Sequence, residues 1–360
     1  MAAHATRSAG RAARVAEAVA TGPLGALSHD ELGVIVDGLA DPLQPIVAVA
    51  LSSTCLGLRT PLRAALEVLQ QRHEKAKALC HKLGVVPGGE AAYPGDDTVQ
   101  VRSCKELSAA HTLFGDGLTT DNMATLSMIL RTNGLKTLSR LTIHGHYQAP
   151  IGHFQASLGR RGPGPAAIGT ETVQALFEGL GRGAAPSLYY LNLGSNRFGP
   201  AGAEALAAAL RRGAMPELNV LVLDENPIGD QGVAALATPL RKHTTLRLLH
   251  IGGCGVGDEG VTTLVVGLGK DDFKALEQFY LNNNNNITDA GCATLVSAID
   301  GGRMPELGRM HGRFEPEVMF PMENSLWDVA PLGIDSASAS DEAVQSVFDA
   351  LSRAETRRSS

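Results

Sequence analysis

The stretch Leu188–Leu210, LYYLNLGSNRFGPAGAEALAAAL, constrains the chain most, because its spacing of apolar residues, Asn and Gly returns on both sides of it. Leu188, Leu191 and Leu193 are followed by Asn196, Phe198, Gly202, Leu206 and Leu210. The series recurs as Leu218, Leu221, Leu223, Asn226, Ile228, Gly232, Leu236, Leu240, and again as Leu246, Leu249, Ile251, Cys254, Val256, Gly260, Leu264, Leu268. A further copy reads Leu276, Phe279, Leu281, Asn284 and, after one extra residue, Ile287, Gly291, Leu295, Ile299. Upstream the offsets persist in Leu138, Leu141, Ile143 and His146, then an insertion at 147–167, then Ile168, Thr172, Leu176 and Leu180. The first copy keeps only its second half, with Leu113, Asp116 and Leu118 ahead of Asn122, Leu126 and Leu130. A period of 28 to 31 residues over six copies specifies a solenoid.

Each unit changes period halfway. In LxxLxL the last two leucines alternate with other residues, as in a strand with one buried face. Apolar residues four and eight positions after the Gly have helical spacing. The Gly fits a chain reversal that needs permissive dihedrals, and the helix then returns the chain, so successive strands are parallel. Strands sit about 4.8 Å apart and packed helices about 8 to 10 Å, so the stack bends with its strands on the concave side. Asn196, Asn226 and Asn284 stand where the chain leaves each strand, and their amides can bond backbone groups of the turn. Cys254 occupies the same column as a weak donor.

These units resemble the leucine-rich repeat family in its ribonuclease-inhibitor-like class, over about residues 108–303. The resemblance implies an α/β fold: a curved right-handed solenoid, or horseshoe, with parallel strands on the concave face and helices on the convex face. It also implies a protein-binding role without enzymatic activity or cofactor. A GTPase-activating horseshoe acting on a small nuclear-transport GTPase is the alternative within the family, and a plain scaffold is another. The register assigns Arg140, Thr142, His144, Tyr190, Asn192, Val222, Asp224, His250, Gln278, Tyr280 and Asn282 to the outward concave face. Tyrosines among apolar and amide groups suit a protein contact.

Ahead of the repeats, residues 27–83 read as a small all-α module. Glu31-Leu32, Val36, Leu39, Asp41-Pro42-Leu43 and then Cys55 resemble the F-box, although Leu27-Ser28-His29 stands in place of the usual Leu-Pro and no Trp follows the Cys. The resemblance implies docking on the linker subunit of a cullin-type ubiquitin ligase through residues 27–60, with Glu31, Leu32, Val36, Leu39, Pro42 and Leu43 on the docking surface. The other reading is a helical cap over the first repeat, which a solenoid needs. Residues 61–83 form one amphipathic helix by pattern, with Leu62, Leu69, Ala76, Leu79 and Leu83 on its stripe. Residues 84–107, rich in Gly and Pro, read as a linker.

Residues 304–334 lose the strand pattern and read as the C-terminal cap, with Trp327 over the last open edge. Val344, Val347, Phe348 and Leu351 have helical spacing inside 335–360, with ETRRSS as a disordered tail. Residues 1–26 read as a disordered tail, although their Ala- and Arg-rich composition is shared with organelle transit peptides.

A net charge of -6 and a pI near 6.0 speak against nucleic acid. Five cysteines without CxxC spacing suit a reducing compartment, the cytoplasm or the nucleus. His144, His146 and His153 lie close in sequence but lack the carboxylate or thiol partners of a metal site. No apolar run reaches the ~18 residues of a membrane span. No nucleophile elbow, phosphate loop or zinc spacing appears in a supporting context.

Overall fold

The structure, a computed structural model, describes residues 41–45, 49–50, 63–85, 98–132, 135–144, 168–308, 332–333 and 338–359. Residues 1–26, the insertion at 147–167 and Trp327 lie outside them, as do Glu31, Leu32, Val36 and Leu39.

In chain order the elements are α1 (Arg63–Cys80), β1 (Leu83–Val85), β2 (Val99–Gln100), α2 (Cys104–Ser108), β3 (Thr112–Asp116), α3 (Thr120–Arg131), β4 (Arg140–His144) and α4 (Thr170–Phe177). There follow β5 (Tyr190–Asn192), α5 (Pro200–Arg211), β6 (Val220–Val222), α6 (Gly229–Arg241), β7 (Leu248–His250) and α7 (Asp258–Val265). The last are β8 (Gln278–Tyr280), α8 (Asp289–Asp300), β9 (Leu332–Gly333) and α9 (Asp341–Ser359). Among the described residues one sheet holds the nine strands in the order β2-β1-β3-β4-β5-β6-β7-β8-β9. From β3 to β9 every pairing is parallel, and β1 is antiparallel to both of its neighbours. The result is an α/β solenoid in which, from β2 onward, each described strand is followed by a helix.

The strand leucines and helix leucines meet between sheet and helices. Leu191, Leu193, Phe198 and Leu206 are each fully buried, and the equivalent side chains of every unit join them in one continuous core. At the exit of each strand the chain turns through the left-handed region at Ser195, Glu225, Gly253 and Asn283, with φ between 54° and 60°. Asn, the next residue, holds that turn. Asn284 Nδ2 donates to the carbonyls of Ile251 and Leu281, both at 2.8 Å, and its Oδ1 accepts from the N–H groups of Cys254 and Val256, both at 3.0 Å. Asn226 donates likewise to Leu193 and Leu223, and Asn196 to Ile143 and Leu193. Each amide thus ties its own unit to the one before. Cys254 makes only the backward bond, Sγ to the Leu223 carbonyl at 3.2 Å.

The glycines of the repeat do something other than reverse the chain. Gly202, Gly232, Gly260 and Gly291 lie inside the first turns of their helices, and none has a positive φ. Space is what they supply: a Cβ on Gly260 would sit 2.4 Å from Asp230 Oδ1, and one on Gly291 2.4 Å from Asp258 Oδ1. Those two carboxylates form a second column between units. Asp230 Oδ1 accepts from Gly257 and Gly260 N–H at 2.7 and 3.0 Å, and Asp258 accepts from the N–H and hydroxyl of Thr288. Asp289 accepts from Ser340 N–H at 2.7 Å, and Thr170 from Gly199 N–H at 3.0 Å. Pro200 holds this position in its unit and has no side-chain acceptor. The Gly229 N–H turns instead to the Cys254 carbonyl at 2.9 Å, with Gly229 itself at φ 57°.

Both ends differ from the sequence reading. The stretch expected as a linker supplies β1, β2 and α2, and β1 covers the edge strand β3 by antiparallel pairing, which removes an open edge. The helix expected over 61–83 stops at Cys80, and Leu83 is a buried strand residue. Pro42 and Leu43, assigned to a docking surface, are buried: Leu43 belongs to the solenoid core, and the Pro42 carbonyl accepts from His73 Nδ1 at 2.7 Å. At the far end α9 continues through the expected disordered tail to Ser359. Val347, Ala350 and Leu351 enter the core, while Arg353 pairs with Asp300 and Arg358 donates to the carbonyls of Pro305 and Leu307. Those bonds hold the last turns on α8 and the chain beyond it.

The Asn column predicts unequal losses. Asn284→Ala strands two carbonyls and two N–H groups in a buried turn and is expected to cost roughly 3 to 5 kcal/mol, whereas Cys254→Ala removes one weak donor and should cost about 1 kcal/mol. Urea titrations of the two variants measure the difference, and equal midpoints would refute it.

Candidate protein-binding face

The pairing register lines up the outward residues in rows. Arg140, Tyr190, Val220, Leu248 and Gln278 are mutually paired across five strands, and so are Thr142, Asn192, Val222, His250 and Tyr280. Eight of the residues assigned to the outward face stand in these two rows, and His144, Asp224 and Asn282 lie beyond them. The first unit extends both rows, because β3 pairs Thr112 with Arg140, Phe114 with Thr142 and Asp116 with His144. Sequence reading missed these three, since Gly115 stands where the second strand leucine belongs. Leu118 fills the gap: its side chain comes within 2.6 Å of where a Cβ on Gly115 would lie. The repeat spacing of Leu113 before Leu141 was the available signal.

The face is far less open than its outward register implies. Tyr190, Asn192, Thr142 and Val222 are each at most 2% exposed, and His144, Gln278 and Tyr280 are also buried. Tyr190, Val220, Val222, Leu248 and Tyr280 form an apolar cluster of their own, separate from the core, with Tyr189 packed against it. Strand neighbours about 4.8 Å apart press large side chains together, so a row of them shields itself. Arg140, His250, Asp224 and Asn282 remain half-buried at its margins.

Two polar groupings interrupt the cluster. Near one end the Arg140 Nε donates to the Tyr189 hydroxyl, and the guanidinium carbon lies 5.4 Å from the Tyr189 ring centre and 5.8 Å from that of Tyr190. Near the middle the His250 ring stacks on Tyr280 with centroids 4.2 Å apart, and its Nδ1 meets Asp224 Oδ2 at 3.1 Å. Asp224 Oδ1 also accepts from the Gly252 N–H at 2.6 Å. Asp224 is thus a structural acceptor between β6 and the turn after β7, as well as a charge on the face. Partial desolvation, with Asp224 beside it, pushes the carboxyl of the neighbouring, still exposed Glu225 above its ordinary value. Burial also holds His144 below the usual histidine range, against the pull of the Gly194 carbonyl that its Nδ1 meets at 3.4 Å. His243, whose Nε2 donates to the Met215 carbonyl at 3.2 Å, is lowered by burial in the same way.

Among the described residues no group of three or more His, Cys, Asp or Glu side chains is placed to hold a metal ion, and no helix is long and apolar enough to cross a membrane. With the geometry in hand, comparison with known families finds three segments, residues 184–207, 215–237 and 242–265, that match the Leucine Rich repeat. No curated protein matches the chain. The chain contains three leucine-rich repeats across 184–265, and such repeats are in general protein-interaction modules.

Asp224→Ala leaves the Gly252 N–H without its acceptor and is expected to lower stability by roughly 1 to 3 kcal/mol. A thermal melt indistinguishable from the parent would show that Asp224 is no more than a surface charge. The histidines set a pH dependence. A folded-state pKa below the unfolded value means that the unfolded chain binds the extra proton, so stability is full above about pH 6.5 and declines as the pH falls below it. Melts at pH 7.5 and 5.5 should show the loss, and His243→Gln should make it smaller.

Proposed function

We propose that the protein is a protein-binding adaptor whose sheet lines the concave side of a curved right-handed solenoid of ribonuclease-inhibitor-like units, and whose outward sheet face holds a protein partner. The observation that carries this reading is the second cluster: aromatic and aliphatic side chains gathered on the face away from the helices, with Arg140, Asp224 and His250 at its margins. Aromatic anchors ringed by polar groups are the makeup of protein interfaces, and strands this short position them rigidly. A broad sheet surface with charged side chains paired to their neighbours suits recognition better than chemistry.

The finer reading, a substrate-recognition subunit of a cullin-type ubiquitin ligase, is supported by the F-box-like residues Glu31, Leu32, Val36 and Leu39. The burial of Leu43 and the His73–Pro42 bond support the cap role of residues 27–83. The two roles are compatible when Leu32, Val36 and Leu39 supply the docking surface. The acidic balance and the cysteine pattern support the cytoplasm or nucleus as the place of action.

Affinity capture with quantitative mass spectrometry tests both levels. A partner should be enriched by the intact chain and lost with Tyr280→Ala or Tyr189→Ala, yet kept with Val266→Asp, an exposed position after α7 on the helix side. Enrichment of the cullin linker subunit, abolished by Val36→Asp, supports the ligase role. A partner that survives both tyrosine changes moves the binding site off the sheet.

A further inference from the structure

Two polar atoms on the outer face of β4 are shielded from water and make no hydrogen bond: Arg140 Nη1 and Thr142 Oγ1. They belong to alternate residues of one strand, so both side chains rise from the same face with backbones about 7 Å apart. Arg140 is held in place. Its Nε is taken by the Tyr189 hydroxyl, and its guanidinium lies over the rings of Tyr189 and Tyr190. Among the described residues no carboxylate pairs with it, whereas Arg247, Arg353 and Arg357 each have one. A guanidinium nitrogen shielded from water without an acceptor, as Nη1 is here, is costly, and an unmatched donor of this kind marks the place of a missing partner group.

We propose that Arg140 and Thr142 form a carboxylate-binding site that takes an aspartate or glutamate side chain of the protein partner, an inference that rests on the outer face being the binding surface. With Nε occupied by Tyr189, the guanidinium offers its Nη groups to a planar two-oxygen acceptor. The Thr142 hydroxyl can donate beside it. Aromatic rings against the guanidinium fix its orientation before binding, so little side-chain freedom is lost when the ion pair forms. The other charges of the face favour one negative group over several: Asp116 lies opposite His144 on the neighbouring strand, and Asp224 and Glu225 lie beyond β6. A phosphate dianion or a nucleic acid backbone would meet those carboxylates, whereas a single acidic side chain at Arg140 need not.

The test uses the full chain and a dye-labelled, end-capped serine–glycine peptide carrying a single glutamate, read by fluorescence polarisation, with the matching glutamine peptide and a phosphoserine peptide as comparisons. The glutamate peptide should bind and the glutamine peptide should not. Arg140→Gln and Arg140→Lys should each weaken binding by roughly tenfold or more, the Lys variant because a point charge cannot replace the fork. Arg197→Gln makes the same charge change at an exposed position off the face and should stay within about twofold, the size of a screened surface charge. Thermal melts check that each variant folds, and Arg140→Lys keeps the long stem that packs on the tyrosines. Absence of glutamate-peptide binding up to about 1 mM, equal weakening by Arg140→Gln and Arg197→Gln, or preference for the phosphoserine peptide would each overturn the proposal. A captured partner lost with Tyr280→Ala but retained with Arg140→Lys would leave the outer face standing as the binding surface and remove only the carboxylate site.

Discussion

The backbone at the strand exits is the constraint on which everything else in this molecule depends. From β5 to β8 strands of three residues run between longer helical returns, and the buried carbonyls at their exits, those of Leu193, Leu223 and Leu281 among them, take an Asn side chain as partner. An unpaired peptide group in that setting is costly, and one side chain per unit removes the problem. Asn196, Asn226 and Asn284 each bond backward to the preceding unit and inward to their own turn. The same residue thereby fixes the left-handed turn and the spacing between layers. Stacking and local conformation are one interaction here, which is why the units are interchangeable in length to within a few residues.

The Gly and Asp columns act as a second, outer tie. Removing a Cβ at Gly260 and Gly291 lets the preceding carboxylate reach the first turn of the next helix, where unbonded N–H groups and the helix dipole favour a negative group. Pro200 breaks the column at one place. Gly229 answers by turning its N–H to the following unit, which needs a backbone angle that other residues adopt only with strain. The series closes on Ser340, so the bond that joins unit to unit also fastens the C-terminal helix.

The outer face follows from the same closeness of strands. Large side chains on adjacent three-residue strands touch one another before they touch solvent, and the surface becomes a thin cluster with polar groups set into it. Under the proposed function, recognition by such a face would rely on a few groups that stay unmatched or marginal. Arg140 between two tyrosine rings and His250 between Asp224 and Tyr280 are the two groups so placed.

The sequence by itself determined the alternation of strand and helix, the parallel order of the units and the membership of the two outward rows from β4 to β8, because each depends on periods of 2 and 3.6 that are visible along the chain. It also identified the Asn column, since an amide recurring at a strand exit has few other uses. What it could not determine depends on neighbours distant in the chain. Gly115 hid the first strand because the group that replaces its side chain, Leu118, lies beyond the turn. The Gly column was legible as a pattern but not as a cause, since its reason is a carboxylate about 30 residues earlier. Leu43 looked like a surface residue within its own segment, and only the packing against the solenoid decided that it is core. Exposure of the outward rows is likewise a property of strand neighbours together, so the tertiary structure alone decided which of those residues reach solvent.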